Sequence, residues 1–119
     1  MNIESDIDNW TTQLRKGLLE LCIMNILATG EVYGYDLVKQ LSEVEGLVVT
    51  EGTIYPLLSR LRRTGLVKTQ LVESANGPAR KYYAITPAGR RMQRTMNQYW
   101  GQLVRGVNRI QRESEAGHA

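Results

Sequence analysis

The feature that most constrains this chain is the run Leu18-Leu19-Glu20-Leu21-Cys22-Ile23-Met24-Asn25-Ile26-Leu27, apolar on nearly every side of a helix. Across residues 13–29, Leu14, Leu18, Leu21, Met24 or Cys22, and Leu27 recur at spacings of three and four, the helical period. A helix apolar all round has to be enclosed, so this one is expected to be the central helix. The run falls short of the ~20 residues that cross a bilayer, and at 119 residues the chain has room for one domain with a modest core. The N-terminal residues are acidic and lack the apolar core of a signal peptide, which places the expected protein in the cytoplasm. The lone Cys22 has no intrachain partner and fits as a small core residue.

The elements that enclose the first helix follow in order. Gly30 supplies a left-handed stop, and Glu31-Val32-Tyr33 forms a short extended link. Residues 34–45 make a second helix with Leu37, Val38, Leu41 and Val44 as its buried stripe, closed by Gly46. After Leu47-Val48-Val49 a third helix runs to Thr64-Gly65, burying Ile54, Leu57, Leu58 and Leu61. Pro56 requires that helix to begin only a few residues upstream, with Thr50 and Thr53 both eligible as its cap. Residues 66–73 and 81–85 read as two strands joined by a segment containing Asn76-Gly77, a hairpin signal. Thr86-Pro87 pairs a capping hydroxyl with a proline at the first helical position. The last helix is expected from 87 to about 112, with a frayed tail over 113–119. The expected fold is mostly α with a small β-hairpin wing: a winged helix-turn-helix over 1–86, then a C-terminal dimerisation helix over 87–112.

Charge is distributed unevenly along this order. Residues 1–51 carry nine acidic residues against Arg15, Lys16 and Lys39, a balance of −6. Residues 52–112 carry twelve Arg or Lys against Glu73 alone, a balance of +11. A half so basic calls for a polyanionic partner. In tri-helical units the third helix enters the major groove. Here its unburied residues are Thr53, Tyr55, Ser59, Arg60, Arg62 and Arg63, hydroxyls and guanidiniums suited to phosphates and base edges. Gly52 near its start permits close backbone approach, and free N–H groups there suit a phosphate. Arg62 and Arg63 are explained equally well as solvated charges near a helix C-terminus, and Tyr55 by ring packing on the first helix. Arg60 shares a side with Tyr55 and Ser59, which favours contact. Arg80 and Lys81, beside the Asn-Gly turn, fit a wing that straddles the backbone or enters the minor groove.

Other functions find less support. The one histidine, His118, lies in the expected tail, and there is no Gly-rich phosphate loop, metal-ligand spacing or nucleophile elbow. No catalytic group, metal or cofactor is therefore expected. A winged-helix module for protein or RNA is the alternative, but a basic groove-reading helix fits double-stranded DNA better than A-form RNA.

These residues carry a specific resemblance. Arg15-Lys16-Gly17-Leu18-Leu19-Glu20-Leu21, Tyr33-Gly34-Tyr35-Asp36-Leu37, Glu51-Gly52-Thr53-Ile54-Tyr55-Pro56-Leu57-Leu58-Ser59-Arg60-Leu61, Gly65-Leu66-Val67 and Gly77-Pro78-Ala79-Arg80-Lys81-Tyr82-Tyr83-Ala84-Ile85-Thr86-Pro87-Ala88-Gly89 occur in order. In these the chain resembles the PadR family of bacterial transcriptional regulators. The resemblance implies a dimeric repressor that releases its palindromic operator when an effector binds. It assigns Glu51, Gly52, Thr53, Tyr55 and Arg60 to the recognition element and Arg80 and Lys81 to the wing. Ala79 stands where other members have a basic residue, which implies a weaker wing grip. A single C-terminal helix resembles the short subfamily.

That last helix carries Met92, Met96, Tyr99, Trp100, Leu103, Val104, Val107 and Ile110, a stripe wider than one small domain needs at its edge. Met96, Tyr99, Leu103, Val107 and Ile110 are expected to bury against a second copy. In the short subfamily a tryptophan of this helix lines an apolar cavity between subunits. The resemblance therefore implies a planar apolar effector against Trp100 and Leu14, although simple packing also explains an interfacial tryptophan.

Overall fold

The first helix begins ten residues before its expected start. In the computed structural model, which describes residues 2–117, α1 spans Ile3–Leu27. Asn2 caps it: its Oδ1 accepts from the Glu4 amide at 3.0 Å, and Glu4 and Asp6 sit in the positive first turn. Only its second half is enclosed, through Leu19, Leu21, Ile23, Met24 and Leu27. Then come β1 (Val32–Tyr33), α2 (Gly34–Ser42) and α3 (Glu51–Arg63). Thr50 occupies the N-cap position of α3, its hydroxyl 3.1 Å from that of Thr53 and bonded to no capping amide. Pro56 has no N–H, so the Gly52 carbonyl is left out of the helical ladder.

The wing is larger than a hairpin. β2 (Val67–Ser74) and β3 (Gly77–Ile85) pair antiparallel from Val67↔Ile85 to Ser74↔Gly77. The link Val32-Tyr33, expected as mere connection, pairs with Tyr83 and Tyr82 and gives the order β1-β3-β2. The second strand also begins at Gly77 rather than at residue 81, so the turn narrows to Ala75-Asn76, with Gly77 at φ +147°. Two other expectations change. Val44 lies in the turn beyond α2, 44% exposed, because the helix stops at Ser42. The last helix, α4 (Pro87–Ala116), continues past Arg112, so the tail expected over 113–119 is helical through Ala116. His118 and Ala119, placed in that tail, lie outside the described residues.

The core joins all the layers. Leu19, Ile23, Met24 and Leu27 of α1 meet Leu37 and Leu41 of α2, Ile54, Leu58 and Leu61 of α3, and Val67, Tyr83 and Ile85 of the sheet. No polar or charged residue is buried among the described residues. α4 adds little to this core: Gly89 is its one fully buried residue, and Met96 packs at the edge. α4 instead is anchored by polar bonds. The Thr86 hydroxyl donates to the Gly65 carbonyl at 2.7 Å and accepts from the Gly89 amide at 3.0 Å, while the Thr86 amide donates to the Leu66 carbonyl at 3.1 Å. One helical turn on, Asn25 Oδ1 accepts from both Gln93 and Asn97 at 2.8 Å. Asn25 Nδ2 returns a 2.9 Å bond to Asn97 Oδ1.

Gly89 is where α4 crosses the Gly65-Leu66 turn. A Cβ there would collide with the Leu66 carbonyl oxygen, backbone that has no freedom to yield, and with Ile85. Gly89→Ala is therefore expected to lower stability by about 2–3 kcal/mol, despite alanine's better helix propensity. Urea unfolding measures it, and a wild-type midpoint would show that the crossing adjusts.

Candidate nucleic-acid interface

α3 sorts its residues by direction. Ile54, Leu58 and Leu61 point into the core and Leu57 is half-buried. Glu51, Gly52, Thr53, Ser59, Arg60, Arg62 and Arg63 are all exposed. At 100° per residue, Gly52, Pro56, Ser59 and Arg63 lie opposite the core, with Thr53 and Arg60 on one flank and Tyr55 and Arg62 on the other. Arg60 and Tyr55, expected on one side, are thus separated by five residues' rotation and face α1 and α2 respectively. The flanks meet different neighbours. On the first, the Arg60 guanidinium donates to Glu20 Oε2 of α1 at 3.1 Å, the one ion pair among the described residues. On the second, Tyr55 is half-buried, against the start of α2 rather than α1. Gly34 makes this fit possible: a Cβ there would lie 3.1 Å from Tyr83 Cε2 and 3.4 Å from Tyr55 Cε1.

The wing stands beside that second flank. β3 turns Tyr83 and Ile85 inward, and Lys81, on the same face nearer the tip, holds its Nζ 6.0 Å from the Tyr83 ring centre. The opposite face carries Tyr82 and Arg80. The Arg80 guanidinium lies 5.1 Å above the Tyr33 ring, which in turn sits 5.6 Å from Tyr82 and 6.2 Å from Tyr35. This aromatic base orients an exposed arginine that has no carboxylate partner. The residues expected for α3 and the wing are thus exposed, except the half-buried Tyr55, with Lys81 on the Tyr83 face of β3, Arg80 on the opposite face and Arg60 on the α1 side of α3.

The comparisons with known proteins agree with this geometry. Residues 23–95 match the model of the transcriptional regulator PadR-like family. The chain belongs to the PadR-like family. A Mycobacterium tuberculosis transcriptional regulator is 37% identical over 78 residues, 66% of this chain and 71% of that one. Among solved structures, a PadR-like regulator from Bacillus cereus is 42% identical with a TM-score of 0.75, covering 82% of this chain and 95% of the other. One from Eggerthella lenta is 32% identical with a TM-score of 0.76, covering 92% of both. As a PadR-like protein the chain is a DNA-binding transcriptional regulator with a winged-helix fold, and not an enzyme. No described helix is long and apolar enough to cross a membrane.

A second surface lies away from α3. On α4, Tyr99, Leu103, Val107 and Ile110 are exposed by more than half, Trp100 by 41%, and Met96 is half-buried against the core. On α1 of the PadR-like chain Ile3, Ile7, Trp10 and Leu14 are also exposed, at spacings of four and three, and Leu14 lines a cavity with Trp100. Sequence reasoning missed the first three of these, although their spacing is the helical period. Leu14 and Trp100, expected together, do line the same two adjoining cavities. One, of about 290 Å³, lies between α1 and α4; the other, of about 390 Å³, reaches Cys22 and the Val44–Leu47 turn. Burial pushes the Cys22 thiol up, as suits an inert packing residue.

Tyr55 and Tyr83 give the regulator a pH signature. Burial, then the Glu51 carboxylate and Tyr33, push the Tyr55 phenol above its ordinary 10.0. Burial and Tyr55 raise Tyr83, with Arg62 pulling the other way. The unfolded chain ionises at the ordinary value. Stability from these raised groups is thus fully present below it and lost as pH climbs through the folded values. Urea midpoints should fall between about pH 9 and about pH 11, less so in Tyr55→Phe. Equal falls in both proteins would remove Tyr55 from this account.

Proposed function

We propose that the protein is a cytoplasmic, effector-responsive repressor that binds a palindromic operator as a homodimer. One observation carries this reading: Tyr99, Trp100, Leu103, Val107 and Ile110 of α4 and Ile3, Ile7, Trp10 and Leu14 of α1 are all large apolar side chains left exposed on a single chain. A second copy related by a two-fold axis is the occupant that such an exposed apolar set suits. Met96, Tyr99, Leu103, Val107 and Ile110 form the expected contact, joined now by Ile3, Ile7 and Trp10. The two α3 helices would then enter successive major grooves, ~34 Å apart on one side of the duplex.

On DNA, Gly52, Thr53, Ser59 and Arg63 meet the groove, with the Gly52 carbonyl an additional acceptor. Glu51, at the first turn, suits a cytosine amino group rather than a phosphate. Arg60 and Arg80 supply charge from α3 and the wing, with Lys81 beside the tip. Tyr55 contributes by fixing α3 against α2 and Tyr83 and by presenting its phenol edge. The division of labour is a winged-helix domain over 1–86 and a dimerisation helix that starts at Pro87 and runs to Ala116 rather than ending at 112.

The dimer is tested directly. Leu103→Asp with Val107→Asp should sediment as a folded monomer and lose binding to the DNA upstream of the protein's own coding sequence in a gel shift. A double variant that stays dimeric would sink this interface.

The effector is proposed as a planar apolar molecule held against Trp100 and Leu14, where the α1–α4 cavity would be roofed by the second copy. Offset stacking on an indole adds ~0.5–1.5 kcal/mol per ring beyond area burial. Release of DNA requires tighter binding to a dimer whose α3 helices are misplaced, since equal affinity shifts nothing. Tryptophan fluorescence during titration with flat aromatic dyes reports on this. Trp10 shares the face, so the titration belongs in a Trp10→Phe background. Adding Trp100→Ala should weaken dye binding about tenfold or more, the loss of ~1.4 kcal/mol. Unchanged affinity would leave Trp100 as packing.

A further inference from the structure

α1 has two outward faces beyond the core, and only one is apolar. The stripe that buries Leu19, Ile23 and Leu27 continues toward the N-terminus, at spacings of three and four, as Lys16 and Thr12. Where the core ends, this stripe therefore changes from leucine to ammonium and hydroxyl. Arg15 flanks it. Opposite, across a groove of about 630 Å³, stand Thr53 and Arg60 of α3. Two of the three basic residues among 1–51 are thus placed on the side of α1 that faces the first flank of α3.

None of the carboxylates nearby serves Arg15 or Lys16. Arg15 donates to the Thr12 hydroxyl at 3.3 Å and Lys16 to the Gln13 amide oxygen at 3.4 Å, both neutral partners on the same helix. Glu20, a turn further along, is taken by Arg60, whose side chain remains 54% exposed. Three cations consequently share one open groove with a single carboxylate. Leu19, Val48, Pro56 and Leu57 give the groove apolar walls, and the three cations are set among them with the hydroxyls of Thr12 and Thr53, a lining that suits a charged backbone with apolar sugars between its phosphates.

We propose that this α1–α3 groove is a backbone-phosphate site for DNA, in which Arg15 and Lys16 hold a phosphodiester beside the recognition helix and Glu20 is the internal counter-ion it displaces from Arg60. The proposal deepens the reading of α3 as the groove-entering helix and rests on it. A phosphodiester flanking the groove that α3 enters would lie along this flank. It offers Arg60 the same two-oxygen fork that Glu20 offers. Without DNA the Glu20–Arg60 pair keeps the guanidinium extended across the groove mouth rather than free to wander. With DNA, Glu20 faces a phosphate and opposes it. Glu20 therefore restrains affinity while Arg15 and Lys16 add to it, and none of the three reads sequence.

The test is the salt dependence of binding, followed by fluorescence anisotropy, for the full chain on mixed-sequence duplex and on the duplex from upstream of its own coding sequence. Arg15→Ala and Lys16→Ala should each flatten the slope of log K against log salt by ~0.9. Both should leave the ratio between the two duplexes unchanged. Glu20→Gln keeps the side chain's shape, removes its charge and should bind both duplexes several-fold tighter. Thermal melts establish that each variant is folded. Arg63→Ala, on the outward face of α3, separates the two levels of the argument. If Arg63→Ala flattens the slope while Arg15→Ala and Lys16→Ala match the wild type, the groove proposal falls and α3 stands. If all three match the wild type, the reading of α3 falls and the groove proposal with it. Glu20→Gln binding more weakly than wild type would also overturn the proposal, since Glu20 would then be an aid to contact.

Discussion

The arrangement depends on a small joint where three segments meet. α3 ends at Arg63, and Gly65, two residues on, turns the chain toward β2 with a φ of +80°. The two carbonyls exposed by that turn, of Gly65 and Leu66, are both taken by Thr86. The same hydroxyl that donates to Gly65 caps the first turn of α4, and Gly89 lets that turn pass directly over the Leu66 carbonyl. α3, the wing and α4 are thereby bonded to one another within a few residues. A displacement of the start of α4 would be felt at the end of α3 through one backbone bond and one short, β-branched side chain, that of Thr86.

A second clasp limits which displacement is available. Asn25, Gln93 and Asn97 satisfy one another across the α1–α4 contact, next to the apolar edge of Met96. Sliding α4 along α1 would leave amide groups unpaired in a partly dry setting, which is unfavourable. Rotation about the clasp keeps the bonds. Past Asn97 the two helices border a cavity lined by Leu14 and Leu18 on one side and by Tyr99, Trp100 and Leu103 on the other. A molecule seated there would thus act on the least constrained stretch of both helices.

Much of this was legible in the sequence, for definable reasons. The apolar run of α1 and the three-and-four spacing of α3 place the core, because burial and helical period coincide there. Thr86-Pro87 marks the start of α4 because capping chemistry is local. What the sequence concealed was decided at a distance. β1 has only two residues, and nothing about Val32-Tyr33 announces a strand until Tyr82 and Tyr83 lie alongside. The Arg60–Glu20 pair joins residues 40 positions apart. Tyr55 meets Gly34 and Tyr83 rather than α1, because α2 begins directly beneath it. The outer turns of α1 are a different case: Ile3, Ile7 and Trp10 have the correct period and lead into Leu14, but the expected helix begins at residue 13, where the dense apolar run comes into range.

Because α4 is fastened only through its first three turns, its remaining length contributes almost nothing to keeping the domain folded. Side chains from Tyr99 onward are free to be exchanged without unsettling the tri-helical body or the wing. The molecule therefore separates two kinds of tolerance. Around Gly65, Thr86 and Gly89 a positive φ, a capping hydroxyl and a close backbone approach each restrict the residue, whereas the fold of the domain places no such demand on the distal helix. Duplicated copies of such a gene can diverge in that stretch, acquiring new cellular cues or refusing to mix with their siblings, while the address they read on the chromosome stays the same.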